Sequence, residues 1–440
     1  MNQRGLQHKR FTQQGLLLGV LYLVLLPLIL NPQVHGNDGI GYFSYLHSMV
    51  MDRDFDFTNE FSHYEGQYVI VGYSHVTGRP VNGVPMGSAL LWMPFYLGAH
   101  LLLKFFGLFI QLPWDADGYS YPYVYSIGLA SSLYALAGLW LTFKFTCYFY
   151  KPESSLAGII LGWMATPLVF YMYLHPSMAH ANSFFLVSSL LYLLLKIKDT
   201  ESNPLWRWGL LGIILGLLVI VRNQDIILWG LVAWIMFPRE SCKMSFKAFI
   251  IMAVCAGLMI FPQMIAWKSI FGSWLSGPES HQIAQNTNFL SPHIMSVLFS
   301  GRHGLFTWHP MLLVGLAGWY GLGKKDKALA WTILILFLFQ VWVTASWREW
   351  WGAHSFGHRM FVSMLPLFML GITAAWDYLN SRIQKRWLIL LAIGAILWNL
   401  GLIYQYGFNL LDRDGTTPFA TVIINQFLLI PSSLFHWLFT

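Results

Sequence analysis

The long apolar runs at 15–30, 246–265 and 388–402 constrain this chain more than any other feature. Each approaches the ~20 residues an α-helix needs to cross a bilayer, and none alternates in the short pattern of an outer-membrane barrel strand. The class is therefore all-α, a polytopic transmembrane helical bundle of about 10–13 spans. Composition agrees. Hydrophobic residues make up 56% and charged residues only 10%, where a soluble domain carries about 25% charged residues and would aggregate with so few. The net charge of +7 reflects basic loops on one side of a membrane, so no nucleic-acid partner is expected.

Candidate spans lie at roughly 12–30, 86–110, 122–144, 155–174, 178–195, 206–221, 225–237, 246–270, 310–322, 328–346, 360–376 and 387–406. Several are short, which predicts broken or half-spanning helices. Basic turns at 144–151, 196–207, 239–247, 324–327 and 382–386 share the cytoplasmic side with the N-terminus by the positive-inside rule, in a cytoplasmic (inner) membrane. Arg4, Lys9 and Arg10 precede the first run, but it ends at Leu30-Asn31-Pro32 without a small-residue cleavage site, so an uncleaved helix is expected. The loop 31–85 and the turn 144–151 fall on opposite sides although two apolar stretches separate them. Either 86–110 is re-entrant or one charge assignment is wrong.

The chain reads as one membrane-embedded domain, 1–440, with outer loops at 31–85, 272–309 and 347–359 and an outer tail at 407–440. Gly212 and Gly216 form a GxxxG pair, a weak helix-packing signal. Cys147, Cys242 and Cys255 show no CxxC spacing and read as packing residues.

Charge divides unevenly among the outer loops. The first carries Asp38, Asp52, Asp54, Asp56, Glu60 and Glu65 against Arg53 and Arg79. The later ones carry Lys268, Arg302, His303, His309, Arg348, His354, His358 and Arg359 against Glu279 and Glu349. A carboxylate wall opposite a cationic wall suits a reaction that needs a base and an anionic leaving group. The plain alternative is a set of solvated loops whose charges balance. Gly36, Gly39 and Gly41 let the backbone turn about Asp38, and the spacing of Tyr42, Tyr45, Leu46, Met49 and Val50 predicts an amphipathic helix in the interface. Trp347, Trp350 and Trp351 read as headgroup-level anchors beside Arg348 and Arg359.

The strings GNDGIGYF, DRDFDFTNEF, GRHGLFTWHP and WWGAHSFGHRMF resemble those of bacterial members of the GT-C superfamily of polytopic glycosyltransferases. That class includes protein O-mannosyltransferases and the enzyme that adds aminoarabinose to lipid A. The likeness covers most of the chain in layout. It implies an inverting transfer of a sugar from a polyprenyl-phosphate donor to a lipid, glycan or protein acceptor at the outer face. Asp38 would be the catalytic carboxylate, its alternative being a turn-capping Asp. Arg302, His303, Arg348 and Arg359 would hold the donor phosphate, and Tyr42, Asn59, Glu60, His180 and His354 would contact substrate. The superfamily's usual acidic pair is Asp38-Gly39 here, so one carboxylate acts alone.

Other polar residues leave two readings open. His175 and His180 are either capping residues or substrate contacts. Arg222 and Asp225 lie at an outer helix end or pair with each other, since an unpaired charge at mid-bilayer costs about 2.5–3.5 kcal/mol. No cofactor is certain; a divalent metal on Asp52, Asp54, Asp56 and Glu60 competes with a solvated turn. The rival function is a secondary transporter or lipid-linked sugar flippase, which would show repeated halves and mid-membrane charges. A non-catalytic scaffold subunit is a third class.

Overall fold

The computed structural model describes residues 3–67, 72–200, 203–236, 244–275, 287–413 and 415–433, with backbone alone for 3–12. Glu279, Arg239 and Cys242 lie outside the described residues. Within them the fold is all-α: no strand forms, and isolated bridges join Tyr73 with Pro80 and Thr287 with Trp347. Seven helices are long and apolar enough to cross a membrane, and four shorter apolar helices accompany them, at Gln13–Ile29, Leu205–Val221, Pro310–Gly323 and Phe419–Ser433. This is the multi-pass helical membrane protein that the apolar runs predict.

Local chemistry sets the helix ends. Ser245 accepts a hydrogen bond from Ala248 N to start Phe246–Phe271, and Gly272 (φ 73) ends it, with Lys268 Nζ donating to the Gly272 carbonyl at 2.7 Å. Asp326 starts Lys327–Ser346 by accepting from Leu329 N at 2.9 Å. Residues 86–110 form one unbroken 21-residue helix, Gly87–Gly107. It contains no turn of the kind a re-entrant segment needs, and 21 residues reach across about 31 Å. The span expected at 225–237 is not formed by its described residues, 225–236. Asn223–Val232 is a 3₁₀-helix followed by the four-residue helix Ala233–Met236.

Contacts divide the chain into two compact units. One unit comprises Met1–Val20, Leu139–Phe170 and Asn286–Thr440, and the other Leu21–Gly138 and Tyr171–Gln285. In the first, Pro152–Met164, Pro310–Gly323 and Leu365–Asn380 pack on small residues: a Cβ on Gly318 would meet the Gly371 carbonyl oxygen at 1.8 Å. Where Pro152–Met164 stops, Asn399 Nδ2 takes up the freed carbonyls of Met164 (2.8 Å) and Thr166 (3.0 Å). A membrane leaves no water to satisfy those groups.

In the second unit, Leu205–Val221 lies against Phe246–Phe271. A Cβ on Gly212 would fall 2.1 Å from the Met252 carbonyl oxygen, and one on Gly216 2.6 Å from that of Ala256, so the GxxxG pair is a true contact face. Only 17% of the apolar window of Phe246–Phe271 and 22% of that of Gly87–Gly107 is buried, against 78% for His180–Lys198. The first two therefore turn apolar faces to lipid and the third is interior.

Candidate functional site

In the second unit the first loop folds as the helix Gly36–His47, which runs on through a π-helical turn, Ser48–Asp52. Residues Gly39 through Ser48 are buried. The helix predicted for the interface therefore exists, but it is enclosed rather than floating with one wet face. Tyr42 meets Trp92 edge-on at 6.2 Å and Phe43 meets Tyr96 at 6.3 Å. Gly36 has φ +63, but Gly39 and Gly41 are helical; they are small because Ser177, Asn82 and Val84 press against them. Asp38 stands half-buried in the first helical turn, where the helix dipole favours a carboxylate. Tyr42, the expected substrate contact, packs inside.

The other end of that helix holds a polar cluster. His47 Nδ1 lies 3.0 Å from Glu60 Oε1 and 3.3 Å from Asp52 Oδ2, while its Nε2 donates to the Asp117 carbonyl at 3.3 Å. Asn59 Nδ2 donates to Asp52 Oδ2 at 2.9 Å. Tyr119 is stacked between His47 (4.0 Å) and His63 (3.9 Å). Gly118 (φ +86) permits this approach, since a Cβ there would sit 2.8 Å from His47 Nε2. Burial pushes the Glu60 carboxyl up to about 7, with the His47 hydrogen bond opposing it in part. Burial also works against a charged His47, yet the hydrogen bond and charge of Glu60 outweigh it and raise that pKa. The two titrate as a coupled pair.

Of the four acids considered for a metal, only Asp52 and Glu60 face His47. Asp54 accepts from Ser48 Oγ (2.8 Å) and Asp56 N, and Asp56 from Thr58 Oγ1 (2.6 Å), so these two brace the turn into Thr58–His63. Asp38 is not in the cluster. Nine residues of helix put it about 13 Å away along the axis.

His180, Arg222 and Asp225 also belong to this unit. Arg222 donates to His180 Nδ1, Ser183 Oγ donates to Asp225 Oδ2, and Tyr171 lies 4.3 Å from the His180 ring. All of these side chains are buried. His180 thus lies in a buried polar knot.

In the first unit, two strings about fifty residues apart meet. The Arg302 guanidinium lies over the Trp351 ring, 3.5 Å from its centroid, and His303 Nδ1 donates to the Trp351 carbonyl at 3.1 Å. His303 (φ 57) and Ala353 (φ 55) occupy left-handed backbone, strain of the kind that collects at functional loops. Gly357 (φ +59) lets the loop close on His309, whose Nε2 would lie 2.2 Å from a Cβ there. Arg359 packs its stem by Gly352, and Arg348 and His354 are exposed.

Arg413, which the sequence did not single out, lies over Tyr406 (4.5 Å) and donates to its carbonyl (3.1 Å), while Tyr406 Oη donates to the His354 carbonyl. His309 and His358 are fully buried. Burial holds both pKa values down to about 3. They are neutral, so these two add no positive charge to the loops.

Matched against protein-family models and against curated proteins, the chain finds no counterpart in either.

Proposed function

We propose that the protein is a GT-C-type inverting glycosyltransferase that moves a sugar from a polyprenyl phosphate to an acceptor at the outer face of the cytoplasmic membrane. The carrying observation is the Arg302–Trp351 stack, which gathers the GRHG and WWGAHSFGHR strings into one arginine-bearing loop cluster at the start of two apolar helices. An arginine fork held on an indole face is suited to a phosphate at headgroup depth. The neutral imidazoles of His309 and His358 add hydrogen-bonding capacity without charge.

In this reading the acceptor hydroxyl attacks the anomeric carbon and gives its proton to a carboxylate base, the role that the resemblance implies for Asp38, and the carbon–oxygen bond to phosphate breaks with its electron pair on the phosphate. The arginines stabilise the charge that develops there. One displacement inverts the centre. Titration of the purified protein with a polyprenyl phosphate tests the reading. Saturable binding that Arg302→Ala weakens at least tenfold supports it, and binding that is absent or indifferent to Arg302 counts against it.

A further inference from the structure

We infer that His47, Asp52 and Glu60 bind one divalent transition-metal ion of the zinc class. The inference goes beyond the transfer reading and stands without it. One donor atom from each side chain falls within 4.8 Å of the others. The measured separations, 3.0 Å from Nδ1 to Oε1 and 3.3 Å from Nδ1 to Oδ2, match the roughly 3.0–3.4 Å between ligand atoms that each sit about 2.0–2.1 Å from one ion. Those two separations suit a single ion, and the third, between the Asp52 and Glu60 oxygens, is within 4.8 Å.

The surroundings are those of a ligand set. His47 Nε2 faces the Asp117 carbonyl, which only accepts, so a hydrogen is on Nε2, and Nδ1, turned to the two carboxylates, is the nitrogen that an ion would take in place of a proton. Fixing the second ring nitrogen on a carbonyl is the usual way a metal-binding imidazole is oriented. Asn59 steadies Asp52 in the same manner. The π-helical turn Ser48–Asp52, closed by Arg53 in left-handed backbone (φ 63), brings Asp52 back toward the histidine one turn before it.

An independent observation points to an ion. Glu60 is 0% exposed, and its Oε2 is buried with no hydrogen-bond partner among the described residues. A buried carboxylate oxygen left unsatisfied is costly, and a dication beside it removes the cost. Imidazole with two carboxylates favours zinc-like ions over Mg²⁺ or Ca²⁺, which take oxygen alone. The Asp52 side chain is 32% exposed, which leaves a route for the ion and a position for water.

Tag-free, full-length protein in detergent, stripped with chelator, is titrated with ZnCl₂ by calorimetry. The expected result is one equivalent bound, with affinity at least 100-fold weaker in Glu60→Gln and His47→Ala and unchanged in Asp115→Asn. Asp52→Asn, at the exposed edge, supplies a folded variant should the buried changes prevent folding, and it too should weaken binding. X-ray absorption at the zinc edge should report nitrogen and oxygen ligands without sulfur. The inference is overturned if wild type takes up no Zn²⁺, if all variants bind it alike, or if only Mg²⁺ and Ca²⁺ bind. In those cases His47 is simply a protonated bridge between two carboxylates.

Discussion

Arg302 rests on the indole of Trp351, 3.5 Å from guanidinium to ring centroid. The contact joins residues that an apolar helix, Pro310–Gly323, and a span, Lys327–Ser346, separate in sequence. Trp351 is thus a platform for a cation.

Replacing Arg302 tests that platform. Arg302→Lys keeps the charge but loses the fork and much of the stacking, so donor affinity should fall several-fold, and Arg302→Ala should lower it further. Trp351→Ala should resemble Arg302→Lys, because it frees the guanidinium without removing it. Equal donor affinity in all four proteins, measured by titration with a polyprenyl phosphate, would leave Arg302 as a bulk-lipid anchor.

The sidedness of the same unit is checkable with single cysteines. Lys327–Ser346 is 20 residues long, enough to cross the membrane, so Lys325 and the 347–359 loop belong on opposite faces. In intact cells His354→Cys should react with an impermeant maleimide, and Lys325→Cys should react only after permeabilisation. Labelling of Lys325→Cys from outside would reverse the assignment of the basic turns.

Gly212 gives a stability prediction. Its missing Cβ is where the Met252 carbonyl passes, so Gly212→Leu overpacks the helix pair by about 1–3 kcal/mol or more. Gly19→Leu, where a Cβ meets nothing within 4 Å, should be close to neutral. Thermal scans in detergent should rank Gly212→Leu well below wild type and Gly19→Leu beside it.

Much of this could be read from the sequence, and the reasons differ by feature. Long apolar runs name their own helices, because a membrane permits almost nothing else. The Gly212–Gly216 spacing was readable because helix periodicity puts both on one face. His47 was not readable: His47, Asp52 and Glu60 follow no fixed spacing, and their meeting depends on a π-helical turn and on Asp117 arriving from the far side of Gly87–Gly107. Nor could His309 and His358 be known as neutral, since burial by the Gly357 loop decides their charge. Asp38 was expected in a sharp turn ahead of a helix beginning near Tyr42; it stands instead in the first turn of Gly36–His47, and the acids grouped with it by sequence proximity lie at that helix's other end.

The two buried histidines carry a pH prediction. Their folded pKa values are near 3 and an unfolded histidine titrates near ~6.5, so between these limits the unfolded chain binds more protons. Stability is full above about pH 6.5 and is lost as pH falls toward 3, by at most about 1.4 kcal/mol per pH unit for each histidine. Thermal scans from pH 7 to 5 should show the wild-type midpoint falling more steeply than that of His358→Phe. Parallel slopes would mean that His358 is already charged or exposed.

Transfer itself is the most direct test. Purified protein is incubated with polyprenyl-phosphate sugars, each radiolabelled in the sugar, together with membrane extract as acceptor source, and the label is followed out of the lipid fraction. For at least one sugar, wild type should move the label. Asp38→Asn, folded and inserted, should fall by about 10²- to 10⁴-fold, the usual contribution of a positioned base. No movement of any label by wild type, or transfer by Asp38→Asn within about tenfold of wild type, would contradict the account.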